Sequence, residues 1–251
     1  VKITFENIDI MGHIVNENNL YKHFHYPEML IRHDSNFIKF KRMPTLTEFE
    51  ETVDYLTGFH KSKGQNHIKF YLPENKKPST ELSIHFKENE YEIGFLELYS
   101  IEPNLFPHIE KSPDIEIESV TEKNLETFLS LKYEQDLKFG EAFAKHKRKL
   151  SKRLFDDSGV MQIIAYYKGE PAGSVDVIIK KETAEIDSLD VNESLRRIGI
   201  GSRLQKFVME AFHDKTIILV ADGEDTAREM YRKQNYKYHG FNYEILKIFN
   251  D

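Results

Sequence analysis

The stretch LRRIGIGSRL, residues 195–204, sets two arginines before a Gly-Ile-Gly and an apolar run after it. Three strand-like segments precede it: VMQIIAYYK, SVDVIIK and AEIDSLDV, with GEPAG and KET read as the turns between them. A helix follows, with Leu204, Phe207, Val208, Ala211 and Phe212 spaced i, i+3, i+4, i+7, i+8 along one stripe. TIILVA then reads as a buried strand, and another helix follows with Asp225 as its N-cap. The order is antiparallel meander, glycine loop, helix, strand, helix, terminal strands. That order specifies an α/β (α+β) chain whose mixed central sheet is flanked by helices.

The glycine loop has the chemistry of an anion site. Gly199 and Gly201 allow a tight turn and remove side chains that would obstruct a close ligand. The first amides of the following helix have no partners within it, and its dipole is positive there. Arg196 and Arg197 add fixed charge, or they are simply exposed surface cations. Without a Gly-Lys-Ser/Thr this is not a P-loop, and the missing third glycine argues against a dinucleotide fingerprint.

The strand before the loop changes parity. Ala184 and Ile186 are even-numbered apolar positions, whereas Leu189 and Val191 are odd. One extra residue near Ser188 or Leu189 reconciles the two faces and leaves backbone groups free to bind something else. A strand buried on both sides is the alternative.

Composition narrows the functional classes. The 251 residues carry a net charge of −7 and no cysteine, so disulfides, thiolate metal sites and a cysteine nucleophile are all excluded. Neither half is basic, which argues against a nucleic-acid module. No apolar run reaches the ~18 residues of a membrane span, and VKITFENIDI lacks the features of a signal peptide, so a cytoplasmic location is expected.

IEPNLFPHIEKSPDI, residues 101–115, carries three prolines and little periodicity, and reads as an interdomain linker. The expected domains are 1–102 and 115–251, with 103–114 between them. Beyond the linker come a short strand, IEIESV, and one or two helices broken near Gly140. The basic run Lys145–Arg153 reads as the wet face of a helix, with Phe143, Leu150 and Leu154 turned inward; an acidic ligand is the other reading.

LDVNESLRRIGIGSRL resembles the acyl-CoA loop of the GNAT superfamily of N-acetyltransferases: Arg196, Gly199 and Gly201 match its Arg/Gln-x-x-Gly-x-Gly/Ala motif, and Leu189 and Val191 its Leu-x-Val strand end. DTAREMYRKQNY resembles the family's Ala-x-x-x-Tyr-x-x-x-Gly-Phe segment through Ala227 and Tyr231. Asn235 replaces a glycine there, and Glu224 replaces a common asparagine, which puts one cofactor contact in doubt. The resemblance implies acetyl-CoA as co-substrate, with its pyrophosphate on the amides of Ile198, Gly199, Ile200, Gly201 and Ser202. It implies pantetheine beside the Leu189–Val191 edge and direct transfer to an amine acceptor. It gives the general base to a carboxylate on the preceding strand, where Glu185 and Asp187 lie, and protonation of the leaving thiolate to Tyr231. Read without the family, Glu185 and Asp187 are solvated strand carboxylates and Tyr231 is a core residue.

The first half resembles a diverged second copy. The segment from His67 to Ile101 can be laid over Thr216–Ile248, with Tyr91 on Tyr236 and Gly94-Phe95 on Gly240-Phe241. This copy has KFKRMPTLTEF, with Pro44, in place of the glycine loop, and Phe86 in place of Tyr231. A tandem arrangement with one acetyl-CoA loop is therefore expected. Most of the 11 histidines lie in this half, including His23 and His25, and packed or scattered histidines are expected rather than a metal site. Two classes of function remain: an N-acetyltransferase, and an acyl-CoA-binding regulatory protein without turnover.

Overall fold

The protein is described by a computed structural model covering residues 2–223 and 227–249. Glu224 and the expected cap Asp225 lie outside the described residues. The chain forms two compact units. One consists of Ile10–Leu98, Ala221–Arg228 and His239–Asp251; the other of Val1–Asp9, Tyr99–Val220 and Glu229–Tyr238.

In the first of these units, β1 (His13–Glu17), β2 (Tyr21–His25) and β3 (Phe37–Phe40) form an antiparallel meander. Helix α1 (Leu46–Ser62) then crosses to β4 (His67–Tyr71), which runs parallel to β3. A crossover helix is what allows two successive strands to run parallel. Helix α2 (Thr80–Glu88), capped by the Ser79 hydroxyl, leads into β5 (Glu92–Ile101). Phe40, Phe49, Leu56, Phe70, Leu82 and Phe86 are almost fully buried together. Each such side chain contributes roughly 1.5–3 kcal/mol on burial.

The other unit contains β6 (Ile115–Ser119), then α3 (Leu125–Asp136) and α4 (Glu141–Phe155), separated by a short 3₁₀ turn and Gly140. The antiparallel strands β7 (Val160–Tyr167), β8 (Glu170–Ile179) and β9 (Thr183–Val191) follow. Helix α5 (Ile200–Ala211) crosses to β10 (Thr216–Asp222), parallel to β9. After α6 (Ala227–Lys233), β11 (Lys237–Ile248) pairs antiparallel with β4, Ile245 opposite Phe70.

The repeat is visible in the backbone. Each half runs meander, crossover helix, parallel strand, helix, strand. Tyr91 N–H donates to the Phe86 carbonyl at 2.9 Å, and Tyr236 N–H to the Tyr231 carbonyl at 3.0 Å. Each tyrosine is preceded by a left-handed residue, Glu90 at φ 56° and Asn235 at φ 66°. Asparagine tolerates that conformation, which is why it can stand where the family motif has glycine.

The compact units draw on both halves of the chain, with residues 239–249 grouped with Ile10–Leu98, where β11 pairs with β4. Several expectations need correction. The turn after β7 is Lys168–Gly169 and β8 already begins at Glu170, so GEPAG is mostly strand. On α5, Ala211 is exposed, while Gln205 and Met209 are buried; Gln205 is admitted because it accepts a 2.7 Å hydrogen bond from the Tyr236 hydroxyl. The basic run on α4 is not wholly solvated, since Lys147 is 6% exposed. Of the two expected readings, packing describes three histidines of the first half: His23, His60 and His67 are fully buried, with adjacent ring centroids 6.1 and 4.9 Å apart, while His13 is exposed. Among the described residues no three His, Asp or Glu side chains are arranged to hold a metal ion, and no helix is long and apolar enough to cross a membrane.

Candidate active site

The glycine loop becomes the N-terminus of α5. Gly199 is the N-cap residue at φ 94°, and no side chain caps the helix. Its first amides are thus not occupied by a side-chain oxygen. Arg196, Arg197 and Ile198 are exposed, and Arg197 itself is left-handed at φ 67°. Ile200 is buried and anchors the loop, and Ser202 accepts a hydrogen bond from Gln234 Nε2 at 3.2 Å. Arg196 is tethered at the base of the loop: its Nε donates to the Val191 carbonyl and its guanidinium lies 3.5 Å from Asp190.

The corresponding helix of the first half is closed. Thr45 and Glu48 form a reciprocal capping box on α1, and Arg42 pairs with Glu48 at 2.6 Å. A side-chain oxygen and a carboxylate occupy the place where an anion would sit. The contrast between α1 and α5 comes from Thr45 standing at the cap position where α5 has Gly199.

Strand β9 carries the bulge anticipated from its parity. Its register with β8 passes from Asp187↔Asp176 to Asp190↔Ser174, and Ser188 adopts φ 50°. Pairing of β9 with β10 runs from Thr183↔Thr216 to Ile186↔Leu219 and stops there. Residues 187–191 therefore form a strand edge with no β10 partner in that register. Leu189 is half-buried on it and Val191 is buried.

Glu185 is not a solvated carboxylate. It is 6% exposed and accepts a 2.8 Å hydrogen bond from the backbone N–H of Asp9. Burial raises its pKa to about 8, with nearby Asp187 adding to the rise and the Asp9 N–H opposing it. Asp187 is partly exposed and accepts from the Ser188 hydroxyl at 3.2 Å. Tyr231 is half-buried, its ring 5.3 Å from those of Tyr99 and Tyr236. The ring packs, as the core reading requires, and its position in the family motif stands beside that packing.

Sequence reasoning missed the support for this edge. Lys132, Gln135 and Lys138 recur every three residues from α3 onward. Lys132 Nζ lies 3.2 Å from Asp176 and 3.5 Å from the Ser188 carbonyl; Gln135 bonds Asn192 and Ser174; Lys138 pairs with Asp190 at 2.7 Å. The available signal was a charge inside an apolar pattern: Lys132 lies i+4 from buried Phe128, and Asp176 interrupts SVDVII.

The profile of the Acetyltransferase (GNAT) family matches residues 124–236, and that of a Domain of unknown function (DUF5613) matches residues 3–99. The crystal structure of a functionally unknown conserved protein from Staphylococcus epidermidis ATCC 12228 is 32% identical, with a TM-score of 0.91 over 99% of both chains. A GCN5-related N-acetyltransferase from Kribbella flavida shares the fold at 13% identity and TM-score 0.58, covering 94% of this chain and 89% of its own. A tandem GNAT protein from the clavulanic acid biosynthesis pathway does so at 8% identity and TM-score 0.54, over 86% and 76%. No curated protein matches the chain. An uncapped glycine-led helix, a bulged strand edge beside it and the matched profile agree, and residues 124–236 form a GNAT acetyltransferase domain, preceded by a DUF5613 domain at 3–99.

Proposed function

We propose that this protein is an acetyl-CoA-dependent N-acetyltransferase that passes the acetyl group directly to a primary amine of a small molecule or peptide. The observation that carries this reading is the N-terminus of α5, with Gly199 at its cap, no side chain on its amides, and Arg196 and Arg197 before it. Those donors suit a pyrophosphate. The unpaired edge at Leu189–Val191 is the place for the extended pantetheine.

In this reading an ammonium acceptor gives a proton to Glu185, directly or through water. The neutral nitrogen attacks the thioester carbonyl, the carbon–sulfur bond breaks, the Tyr231 hydroxyl gives its proton to the sulfur, and the second proton of the acylated nitrogen passes to the tyrosinate, directly or through water, leaving the amide and free CoA. A base with pKa about 8 is poised for such a task close to neutral pH. Asp187, on the same strand, is the second candidate for the base.

The test is release of free thiol from acetyl-CoA across a panel of amines, together with calorimetric titration. One acetyl-CoA per chain is expected, since the capping box of α1 leaves the first half no comparable loop. Binding without thiol release on any amine would replace this reading with that of a regulatory acyl-CoA sensor.

A further inference from the structure

Lys132 and Asp176 form a buried ion pair, the lysine 3% and the aspartate 1% exposed. Charges taken out of water in this way are weak contributors to stability, so the pair calls for another explanation. The lysine comes from the middle of α3, and the aspartate from β8, directly opposite Asp187 in register. Burial disfavours the Lys132 charge, yet Asp176, Asp136 and Asp187 together outweigh it and hold its pKa above the ordinary value. The ammonium is therefore a permanent cation, and it is aimed at the bulge: the Ser188 carbonyl lies 3.5 Å from Nζ.

Ser188 needs such a hold. At φ 50° it occupies the left-handed region, which a serine populates only when its surroundings impose it. Without restraint, the segment would relax toward ordinary strand geometry and pull its amides back toward β8. Ser188 and Leu189 are the residues for which β8 offers no register partner. Their amides are the donors that the bulge sets free.

Resting on the acetyltransferase reading above, we infer that Lys132 is a positioning residue: braced by Asp176, it locks the Ser188 bulge so that the freed amides grip the thioester carbonyl. On this inference the strut gives the chain a preference for acetyl-CoA over free CoA. The thioester has a carbonyl acceptor that the free thiol lacks. The diphosphate is bound elsewhere, on α5, so the strut affects the acyl end alone.

The experiment compares the affinity of acetyl-CoA with that of CoA by calorimetry, in the full chain and in variants. Lys132→Met alone would leave Asp176 buried without a counter-charge, so the informative protein is Lys132→Met/Asp176→Asn, which removes both charges. The wild type should prefer acetyl-CoA by about 2- to 10-fold, the scale of one hydrogen bond. In the double variant that ratio should fall toward one while CoA affinity is unchanged. Hydrogen exchange in the ligand-free double variant should quicken across 187–192 and stay unaltered in the rest of β8 and β9. A double variant that keeps both the ratio and the exchange pattern overturns the inference while leaving the acetyltransferase reading intact. A wild type that binds both ligands equally overturns it as well. A wild type that binds neither removes the reading on which it rests.

Discussion

The backbone N–H of Asp9 donates to Glu185 Oε2 at 2.8 Å, and Lys180 reaches over to Asp9 at 3.3 Å, so the start of the chain closes over the carboxyl on β9. Burial there holds the pKa near 8, above the ordinary 4.5. Folding therefore favours the protonated form. Its stabilising effect is complete below pH 4.5 and is lost as pH rises through about 8. The alkaline loss amounts to at most ~5 kcal/mol. Glu185→Gln should flatten the fall in melting temperature between pH 6 and pH 9. If Glu185 is the base, wild-type kcat/KM should rise with pH to a plateau above about 8. The glutamine variant should lose that limb and about 10²–10⁴ in rate. A wild-type pH profile retained by the variant would exclude Glu185 and turn attention to Asp187.

A second prediction concerns Gly201. A β-carbon there would meet Leu189 and Val191 at 3.8 Å, ordinary contact distance. Gly201→Ala should accordingly fold normally. Gly201→Glu places a carboxylate in the first turn, which the helix dipole tolerates and a pyrophosphate does not. Acetyl-CoA binding should disappear in the glutamate variant while the circular dichroism spectrum stays the same. Unchanged affinity in a calorimeter would show that the ligand does not use this loop.

Tyr231→Phe preserves the ring packing against Tyr99 and Tyr236 and removes only the hydroxyl. If that hydroxyl protonates the thiolate and thiolate departure is limiting, turnover should drop by about 10²–10⁴ with little change in acetyl-CoA affinity. Normal turnover would return Tyr231 to a packing role.

The buried histidines make the first half sensitive to acid. Burial lowers the pKa of His23 and His67 to about 3 and of His60 to about 4, with neighbouring histidines adding to it. The unfolded chain binds protons near pH 6.5, so between that value and 3–4 it holds more protons than the folded chain. Stability is full above pH 6.5 and falls as pH drops, by as much as ~4 kcal/mol per pH unit for three histidines. With a total at the lower end of the typical range of about 5–15 kcal/mol, this unit should unfold near pH 5. His60→Gln should shift the transition to lower pH, as followed by hydrogen exchange in 21–71. Stability unchanged down to pH 4 would mean that burial does not lower the pKa of these histidines.

The amino-acid sequence by itself determined the elements and the loop. Strand parity pointed to a bulge near Ser188 or Leu189, because side chains alternate faces and a parity change has few explanations. The Gly-Ile-Gly located the N-terminus of α5, because left-handed geometry at a helix cap is a local demand. Phe86 and Pro44 marked the first half as lacking the loop and the tyrosine, again from local chemistry. What only the tertiary structure decided was the environment of each charge. Glu185 and Asp187 look alike in sequence, and it is the burial of Glu185, whose carboxyl meets the Asp9 amide 176 positions away, that makes the two different. The pairing of Lys132 with Asp176 joins a helix to a strand 44 residues on. The return of β11 to β4 groups residues 239–249 with the first half. Burial, pKa and strand partnership all depend on which distant segments arrive at one place, and periodicity carries no information about that arrival.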